Sequence, residues 1–537
     1  MRPACLKPTE LRIHACRSLR VNGTFPMNAR RILLACLLVL VAAGNAPTPP
    51  AEAATSFTFF GGGFGHGLGM SQYGALGMAQ DGSGYEEILT RFFSGTTVET
   101  RDLPGSIRVG LVQGTKIFHV RARFGKVELR VGSVDGELAA TIPGTQEWEI
   151  RTGSGQYRIL DEQGKLVGGK EWGGPQRHLI AVYEPNSAAA QVKESGGITY
   201  NRGRLEFNIY GATHRGRIIA IVSPQEYLYG LGEVPSEWPM PALQAQVIAA
   251  RTYAFEIVER TGQHHSWCNC AVTDDTRNQV YIAYAKEGGA SGDRWVSAVD
   301  RTKDEVVLWH GNLIQAQYSS SSGGYTENNE NVWNGSPLPY LRGVCDPGDY
   351  TADNPNRVWR RQFSASEVTS RLSPYISSIG TITGFTDIRR GVSGRIITAD
   401  AVGTSGRDTV TGSELRLGLG LLDSRVWINS NRTVTGAIRN KYDGVACRPE
   451  LPVSPQTGVA GGRQQRFERG AIFWSDTTGA HWLRDRVLAR YRELNGPGGK
   501  LGFPTSDVQT GDDGRTWADF EHGRIVCPAG SGDCSEV

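Results

Sequence analysis

Short runs in which hydrophobic and polar residues alternate occupy much of this chain. Residues 106–112 and 127–131 are examples from a region, residues 105–222, in which glycines separate one run from the next. Alternation with a period of two is typical of strands that bury one face, and glycine marks the turns between them. We therefore expect antiparallel strands in this region, another strand at residues 57–60, and a second strand-rich region at residues 305–430.

One segment has the period of a helix instead. Between Pro241 and Arg260, apolar residues recur three or four positions apart, at Leu243, Val247, Ala250, Ala254 and Val258. This spacing places them on one helical face, and the glycine at position 262 marks the expected end. A shorter helix is expected at residues 85–93. The whole pattern predicts a β-rich α+β fold with one main helix.

Composition and charge narrow the class of protein. The chain has 537 residues, of which 39% are hydrophobic and 21% are charged, and this composition excludes wholesale disorder. Its 69 glycines favour many tight turns between short strands. The formal net charge is only +3, which argues against nucleic acid as the main partner.

The N-terminus has the three parts of a secretory signal peptide. A short basic region at residues 28–31 precedes an almost uninterrupted apolar run at residues 32–43, and Ala51-Glu52-Ala53 fits the small-x-small cleavage rule. The apolar run is too short for a membrane span. We expect residues 27–53 to be a signal peptide cleaved after Ala53, and residues 1–26 to be an over-long start. The mature protein is then secreted.

Export changes the interpretation of the cysteines. Six of the nine cysteines follow the predicted cleavage site, and an even number in an oxidising compartment favours disulfides. Cys527 and Cys534 are close in sequence, so we expect them to pair. The other four allow three pairings: Cys268, Cys270, Cys345 and Cys447. Zinc is the alternative for the cluster of His264, His265, Cys268 and Cys270. Because Cys-x-Cys is not a standard zinc spacing, we expect no metal and no cofactor.

Glu233 is the residue with the clearest candidate chemistry. It lies in a Glu-Val-Pro turn just before the main helix, among apolar and aromatic neighbours. Partial burial would raise the pKa of its carboxyl and keep it available as a general acid near neutral pH. A charge that merely complements the helix dipole is the alternative interpretation. Glu237, the nearest second carboxyl, is expected to be a capping or surface charge.

Three long blocks of the sequence resemble the stage II sporulation protein D family, also called the amidase enhancer or LytB family. The first is the Glu-Val-Pro turn followed by Ala242-Leu243-Gln244-Ala245-Gln246-Val247-Ile248-Ala249-Ala250-Arg251-Thr252-Tyr253. The second is Gln317-Tyr318-Ser319-Ser320-Ser321-Ser322-Gly323-Gly324-Tyr325-Thr326-Glu327. The third is Gly65-His66-Gly67-Leu68-Gly69-Met70-Ser71-Gln72-Tyr73-Gly74-Ala75. The resemblance covers residues 57–430, which we expect to form one domain.

The order of the blocks departs from many members of that family, in which the Gly-His-Gly block comes last. Here it comes first, which is similar to a circular permutation and is tolerated where domain termini lie close together. This order predicts that residues 57–100 pack beside residues 395–430. It also predicts that His66 and Gln72 converge on the groove that contains Glu233.

The resemblance implies a lytic transglycosylase-like enzyme that cleaves peptidoglycan glycan strands, preferably without stem peptides. Glu233 would be the catalytic acid and base in forming 1,6-anhydro ends between N-acetylmuramic acid and N-acetylglucosamine. The residues then expected to bind substrate are His66, Gln72, Gln246, Arg251, Ser320, Ser321, Gly323 and Tyr325. Arg251 is also interpreted as a buried partner that organises the site. The alternative function is a non-catalytic glycan-binding protein that enhances an N-acetylmuramoyl-alanine amidase.

The C-terminal part contains an internal repeat. The pattern of residues 467–472 recurs 53 residues later, at residues 520–525. Similarity at a fixed offset is typical of a repeat module. Lys500-Leu501-Gly502-Phe503-Pro504-Thr505-Ser506-Asp507 resembles an LGFP repeat, a module of wall-associated actinobacterial proteins that is thought to anchor them to the envelope. We expect residues 431–465 to be a linker and residues 466–537 to be the repeat module. This implies a cell-wall location.

Overall fold

A computed structural model describes residues 56–445, 447 and 449–537. The predicted signal peptide and the residues before it lie outside the described residues. The described part begins with strand β1 (Ser56–Gly61), strand β2 (Met70–Ser71), helix α1 (Gln72–Gln80), helix α2 (Tyr85–Phe92) and strand β3 (Thr97–Thr100). Ser71 caps α1, because its hydroxyl accepts the N–H of Gly74.

The alternating region forms antiparallel strands, as its pattern predicts. They are β4 (Ile107–Thr115), β5 (Ile117–Phe124), β6 (Val127–Val131), β7 (Glu137–Ile142), β8 (Glu147–Arg151), β9 (Arg158–Leu160), β10 (Leu179–Val182), β11 (Ala189–Val192), β12 (Ile198–Tyr200), β13 (Arg204–Tyr210) and β14 (Arg215–Val222). One sheet has the order β4-β14-β13-β10-β6-β7, and a second has the order β12-β11-β5-β8-β9. Their inward-facing apolar residues share one core.

The main helix lies at the centre of the next part of the chain. The elements in order are α3 (Pro224–Tyr229), α4 (Met240–Thr261), β15 (Val272–Thr273), α5 (Tyr284–Glu287), α6 (Gly292–Arg301), β16 (Glu305–Trp309), β17 (Asn312–Leu313), β18 (Tyr318–Ser319) and α7 (Glu330–Trp333). Strand β15 joins the edge of the first sheet beside β4. Helix α4 packs Leu243 and Val247 against the β core and Ile248 and Ala249 against a second core that contains α1 and α2. It is therefore buried on opposite faces, and polar side chains along it face protein.

A smaller β unit contains the start of the described chain. Its elements are β19 (Trp359–Ser364), α8 (Ala365–Leu372), β20 (Ile382–Arg390), β21 (Ile396–Gly403), β22 (Gly406–Thr411), α9 (Gly412–Leu419) and β23 (Val426–Ile428). Strand β1 lies between β19 and β23, and Phe60 pairs with Trp427. Strand β1 thus packs beside β23, within residues 395–430, whereas α1 and α2 of the same N-terminal segment share a core with α4.

The C-terminal part has two four-stranded sheets. Its elements are α10 (Gly436–Gly444), β24 (Thr457–Val459), β25 (Gly462–Phe467), β26 (Gly470–Ser475), β27 (Gly479–Leu483), α11 (Asp485–Glu493), β28 (Gln509–Thr510), β29 (Thr516–Phe520), β30 (Gly523–Cys527) and β31 (Ser535–Glu536). The repeat predicted from sequence corresponds to two equivalent hairpins, because Phe467 pairs with Gly470 and Phe520 pairs with Gly523.

The segment expected to be a linker contains regular structure. Residues 431–465 include α10, β24 and part of β25, so the sheet begins before the boundary expected at residue 466. The buried Gln465 side chain donates to the carbonyls of Thr433 and Ser454, at 3.3 and 3.1 Å. Turn-forming Pro and Gly residues produced the linker-like composition. Among the helices of the described residues, none has the length and hydrophobicity needed to cross a membrane.

Candidate active site

The turn that carries Glu233 is held against residues 280–283. Gly232 donates its N–H to the carbonyl of Val280 at 2.8 Å, and Val280 donates its N–H to Glu233 Oε1 at 2.6 Å. Gly230 permits the close approach, because a Cβ there would lie 2.4 Å from the Tyr281 ring. Helix α4 starts after Pro239 and has no side-chain cap. The Glu233 carboxylate therefore bonds to a neighbouring loop and does not cap the helix.

Burial raises the pKa of Glu233 above its ordinary value of 4.5. The N–H of Val280, the side chains of Tyr318 and Gln72, and the Lys286 ammonium all act in the opposite direction and limit the rise. The net direction is upward. At a given pH, Glu233 therefore keeps a larger protonated fraction than an exposed glutamate.

Buried polar groups hold this carboxyl in place. Tyr227 donates its hydroxyl to Gln279 Oε1 at 2.8 Å, and Gln279 Nε2 donates to the Tyr318 hydroxyl oxygen at 2.8 Å. Burial and the nearby Glu233 charge keep the pKa of both tyrosines well above the usual range, so both remain neutral donors. Lys286 Nζ donates to the carbonyl of Val234 at 2.5 Å. The Glu-Val-Pro turn is thus preorganised.

The Gly-His-Gly block reaches this site by pairing with the serine-rich loop. Strand β2 runs parallel to β18, with Met70 opposite Tyr318 and Ser71 opposite Ser319. This register brings Gln72 to Glu233, where Gln72 Nε2 lies 3.5 Å from the Glu233 carbonyl oxygen and 3.3 Å from Gln246 Oε1.

A cleft of about 680 Å³ opens over the Glu233 carboxyl. His66 and Gln72 both line it, so the convergence predicted from the block order is observed. The other side chains along its walls are a mixture of polar, cationic and apolar groups: Phe64, Tyr253, Thr276, Arg277, Asn278, Val280, Gln317, Tyr318, Ser319, Ser320, Trp333, Arg416 and Leu417. Apolar and polar groups converging in one concave surface are typical of a ligand site.

His66 is a neutral member of this surface. Its Nδ1 accepts the N–H of Leu68 at 3.0 Å, and its ring centre lies 5.2 Å from that of Trp333. Burial, followed by the positive charges of Arg416 and Arg395, holds the pKa of His66 well below its usual range. Its Nδ1 is an acceptor, so the ring proton resides on Nε2.

The four serines divide into two roles. Ser319 and Ser320 line the cleft. Ser321 and Ser322 are fully buried, and they donate their hydroxyls to Asp349 Oδ2 at 2.9 Å and Asp346 Oδ2 at 2.5 Å. Their hydroxyls therefore bond to a buried acidic pair and lie outside the cleft lining.

Five of the residues expected to bind substrate do not line the cleft, and four of them lie away from it: Arg251, Ser321, Gly323 and Tyr325. Arg251 is fully buried and donates to the carbonyl of Glu305 at 2.8 Å, because α4 is covered on opposite faces. Ser321 is buried, and Gly323 packs against the backbone of Gly62. Tyr325 lines a different cavity, beside Trp482. The structure thus places these four side chains away from the cleft surface, and their binding of substrate stays a prediction.

Gln246 has an indirect position. It is buried and does not line the cleft, and its Oε1 accepts from the Nε2 of Gln72, which does line the cleft. Glu237 is exposed and lies outside the cleft lining, as expected of a surface charge.

Sequence reasoning missed several residues of the site. Arg277 and Gln279 belong to one loop, Lys286 to helix α5 and Arg416 to helix α9, so only the fold reveals that these three segments lie near Glu233. Tyr318 falls inside one of the three blocks, and its position next to the serines was the available signal.

The cysteines form three disulfides: Cys268–Cys270, Cys345–Cys447 and Cys527–Cys534. The last is the pair expected from sequence. The first shows that the Cys-x-Cys motif pairs internally and does not pair with Cys345 or Cys447. Within the described part of the chain, no group of three or more metal-binding side chains occurs.

Comparisons with known proteins agree with the block that contains the Glu-Val-Pro turn and with the C-terminal repeat. Residues 213–309 match the family model described as Stage II sporulation protein, and residues 451–499 match the LGFP repeat model. The chain is 36% identical over 139 residues to the amidase enhancer of Bacillus subtilis (strain 168), covering 26% of this chain and 17% of that protein. It is 26% identical over 275 residues to Stage II sporulation protein D of the same organism, covering 49% of this chain and 76% of that protein.

A second sporulation protein gives a similar match. Stage II sporulation protein D of Bacillus amyloliquefaciens is 26% identical over 253 residues, covering 41% of this chain and 73% of that protein. The matched family segment contains Glu233 and all of helix α4. This chain therefore contains a Stage II sporulation protein domain at residues 213–309 and an LGFP repeat at residues 451–499.

Proposed function

We propose that this protein is a lytic transglycosylase-like enzyme that cleaves the glycan strands of peptidoglycan. The observation that carries the proposal is the composition of the cleft. Among the described residues that line it, Glu233 alone has a carboxyl group, and burial raises the pKa of that group. Hydrolytic glycosidases generally need two carboxyl groups across the bond. An intramolecular transglycosylation needs only one.

Glu233 would act first as an acid and then as a base. Protonated Glu233 donates its proton to the glycosidic oxygen between N-acetylmuramic acid and N-acetylglucosamine, and the bond to the muramic C1 breaks. The resulting carboxylate takes the proton of the muramic C6 hydroxyl as that oxygen attacks C1. The products are a free hydroxyl on the leaving sugar and a 1,6-anhydro ring, and no water is consumed.

The cationic groups in the cleft favour glycan strands without stem peptides as the substrate. Such strands expose the lactyl carboxylate of each muramic residue. Arg277 and Arg416 both line the cleft, and their positive charges would attract and orient the lactyl carboxylates. The Arg416 guanidinium is held by the carbonyl of Leu422 at 3.0 Å.

The location proposed for this activity is the cell wall. The matches to a sporulation protein domain and to an amidase enhancer support a role connected with the wall. The predicted signal peptide would export the chain, and the LGFP repeat would attach it to the envelope.

The similarity to the amidase enhancer favours one alternative function. In it, the same cleft would bind glycan without cleaving it, and the bound protein would stimulate a wall amidase. This alternative requires the groove but gives no role to a carboxyl whose pKa is raised.

Product analysis distinguishes the two. The mature protein is incubated with glycan strands freed of stem peptides, and the ends are identified by mass spectrometry. We expect 1,6-anhydro ends, formed at least ~100-fold more slowly by Glu233→Gln, because general acid catalysis contributes on that scale. Glu237→Gln is the matched control, since Glu237 is exposed and lies only four positions away.

The outcomes separate clearly. Strand binding without any cleavage would reject the enzyme and favour the enhancer. Reducing ends in place of anhydro ends would show hydrolysis. Equal cleavage rates for Glu233→Gln and the parent protein would show that Glu233 is not the catalytic acid.

A further inference from the structure

Exposed tryptophan is rare among the described residues of this protein. All 12 tryptophans lie in the described part of the chain, and among them only Trp267 and Trp333 are markedly exposed, at 53% and 48%. Trp333 lines the Glu233 cleft, and Trp267 lines a separate cavity of about 320 Å³. Large aromatic rings left in water favour a ligand that covers them.

The two cavities are neighbours. Tyr253, Asn278 and Gln317 line both, so they form the wall that the cavities share. Asn278 Nδ2 donates to the Tyr253 hydroxyl at 3.2 Å, which stiffens this wall. Arg277 also lies between the two cavities, because it lines the Glu233 cleft and its guanidinium lies 5.2 Å from the centre of the Trp267 ring. A chain-like ligand in the cleft that continues past Asn278 would reach Trp267.

The loop that carries Trp267 is rigidly built. The Cys268–Cys270 disulfide follows the tryptophan directly, and both sulfur-bearing residues are buried. Between them, the carbonyl of Asn269 accepts a bond from Arg108 Nε at 3.0 Å. A preorganised ring loses little freedom when a ligand stacks on it.

We propose that the Trp267 cavity is a distal sugar-binding subsite of the Glu233 cleft. It holds an N-acetylhexosamine unit of the same glycan strand, away from the bond that is cleaved. The apolar face of the sugar stacks on Trp267, and its polar substituents bond to Asn278, Gln317 and Arg260 at the rim. This inference rests on the proposed function, because its occupant is the strand bound over Glu233.

The cavity also accounts for the short disulfide loop. A subsite built on one exposed ring depends on the position of that ring, and the disulfide fixes it from the buried side. Other occupants, such as an unrelated aromatic peptide, would have no reason to continue from the Glu233 cleft.

Length-dependent binding tests the subsite. Stem-peptide-free glycan fragments of two and of eight sugars are titrated calorimetrically into Glu233→Gln protein, which leaves the strands intact. We expect the eight-sugar fragment to bind more tightly. Adding Trp267→Ala should weaken binding of that fragment about tenfold and leave the two-sugar fragment unchanged. Trp267→Phe should restore most of the loss, whereas Trp333→Ala should weaken both fragments.

Three results would overturn the proposal. The first is equal affinity of the parent for both fragments. The second is eight-sugar binding that is unaffected by Trp267→Ala. The third is an equal loss for both fragments, which would indicate damage to the fold. In each case the Glu233→Gln protein that keeps Trp267 still binds glycan, so the proposed function is not rejected. Failure of the parent to bind either fragment would instead reject both.

Discussion

Lys286 provides a quantitative test of how the Glu-Val-Pro turn is stabilised. Its ammonium is buried beneath the turn, donates to the carbonyl of Val234 at 2.5 Å and lies 4.4 Å from the centre of the Trp295 ring. Burial lowers the pKa of Lys286 from 10.5 to about 8, although the charges of Glu237 and Glu233 oppose the change. Each pKa unit corresponds to ~1.4 kcal/mol, so keeping this charge costs the folded state ~3 kcal/mol at neutral pH.

Lys286→Met removes that cost and leaves a side chain of similar length. The folded pKa is depressed, so between pH 8 and 10.5 the unfolded chain binds more protons, and the parent gains stability as pH rises. From pH 7 to pH 10 this gain is ~2.5 kcal/mol, and the variant lacks it. The unpaired Val234 carbonyl lowers the stability of the variant by ~1–3 kcal/mol at every pH. It therefore does not alter the change in stability between pH 7 and pH 10.

Urea unfolding at pH 7 and pH 10 measures the effect. Lys303→Met is the control, because Lys303 is exposed. The reasoning is refuted if the stability difference between the parent and Lys286→Met is the same at both pH values. The Lys286 charge also lowers the pKa of Glu233, so the variant should retain cleavage activity to a higher pH than the parent.

Two further predictions concern stability. Burial and the charge of Asp349 raise the pKa of Asp346 from 3.8 to about 7, so the folded protein loses stability as pH rises through this range. Asp346→Asn should flatten the pH dependence of urea unfolding between pH 4 and 7, and an unchanged slope would contradict the raised pKa of Asp346. Replacing Cys527 and Cys534 by serine opens a loop with a sequence separation of 7, which should destabilise the C-terminal part by ~2 kcal/mol in calorimetric unfolding, whereas no change in melting temperature would show that the loop is held by packing alone.

Local pattern was sufficient for the main helix and for the strands of residues 105–222, but it did not predict short helices such as α1 (Gln72–Gln80) and α6 (Gly292–Arg301). Apolar spacing predicted a helix at residues 241–260, and α4 spans Met240–Thr261. Alternation separated by glycine predicted the strands of residues 105–222, since a strand's period and its turns are encoded within a few residues. The hairpin repeat was visible for the same reason.

Pattern did not reveal which polar side chains face the cleft. Arg251 and Gln246 belong to the same block as the Glu-Val-Pro turn, yet α4 is covered on opposite faces, and both are buried. Of the four consecutive serines, Ser321 and Ser322 turn toward a buried acidic pair and only the first two line the cleft. Exposure depends on what packs against a segment, and those partners are distant in sequence.

The sequence alone determined that Glu233 lies in a turn before a long helix, within a recognisable block. Only the tertiary structure decided the direction in which its pKa is shifted. The pKa of a carboxyl depends on burial and on neighbouring groups, and here those are Val280, Tyr318, Gln72 and Lys286, each from a different element. Gln72 precedes Glu233 by 161 positions and reaches it because β2 pairs with β18. Strand pairing creates that proximity, which spacing along the chain does not encode.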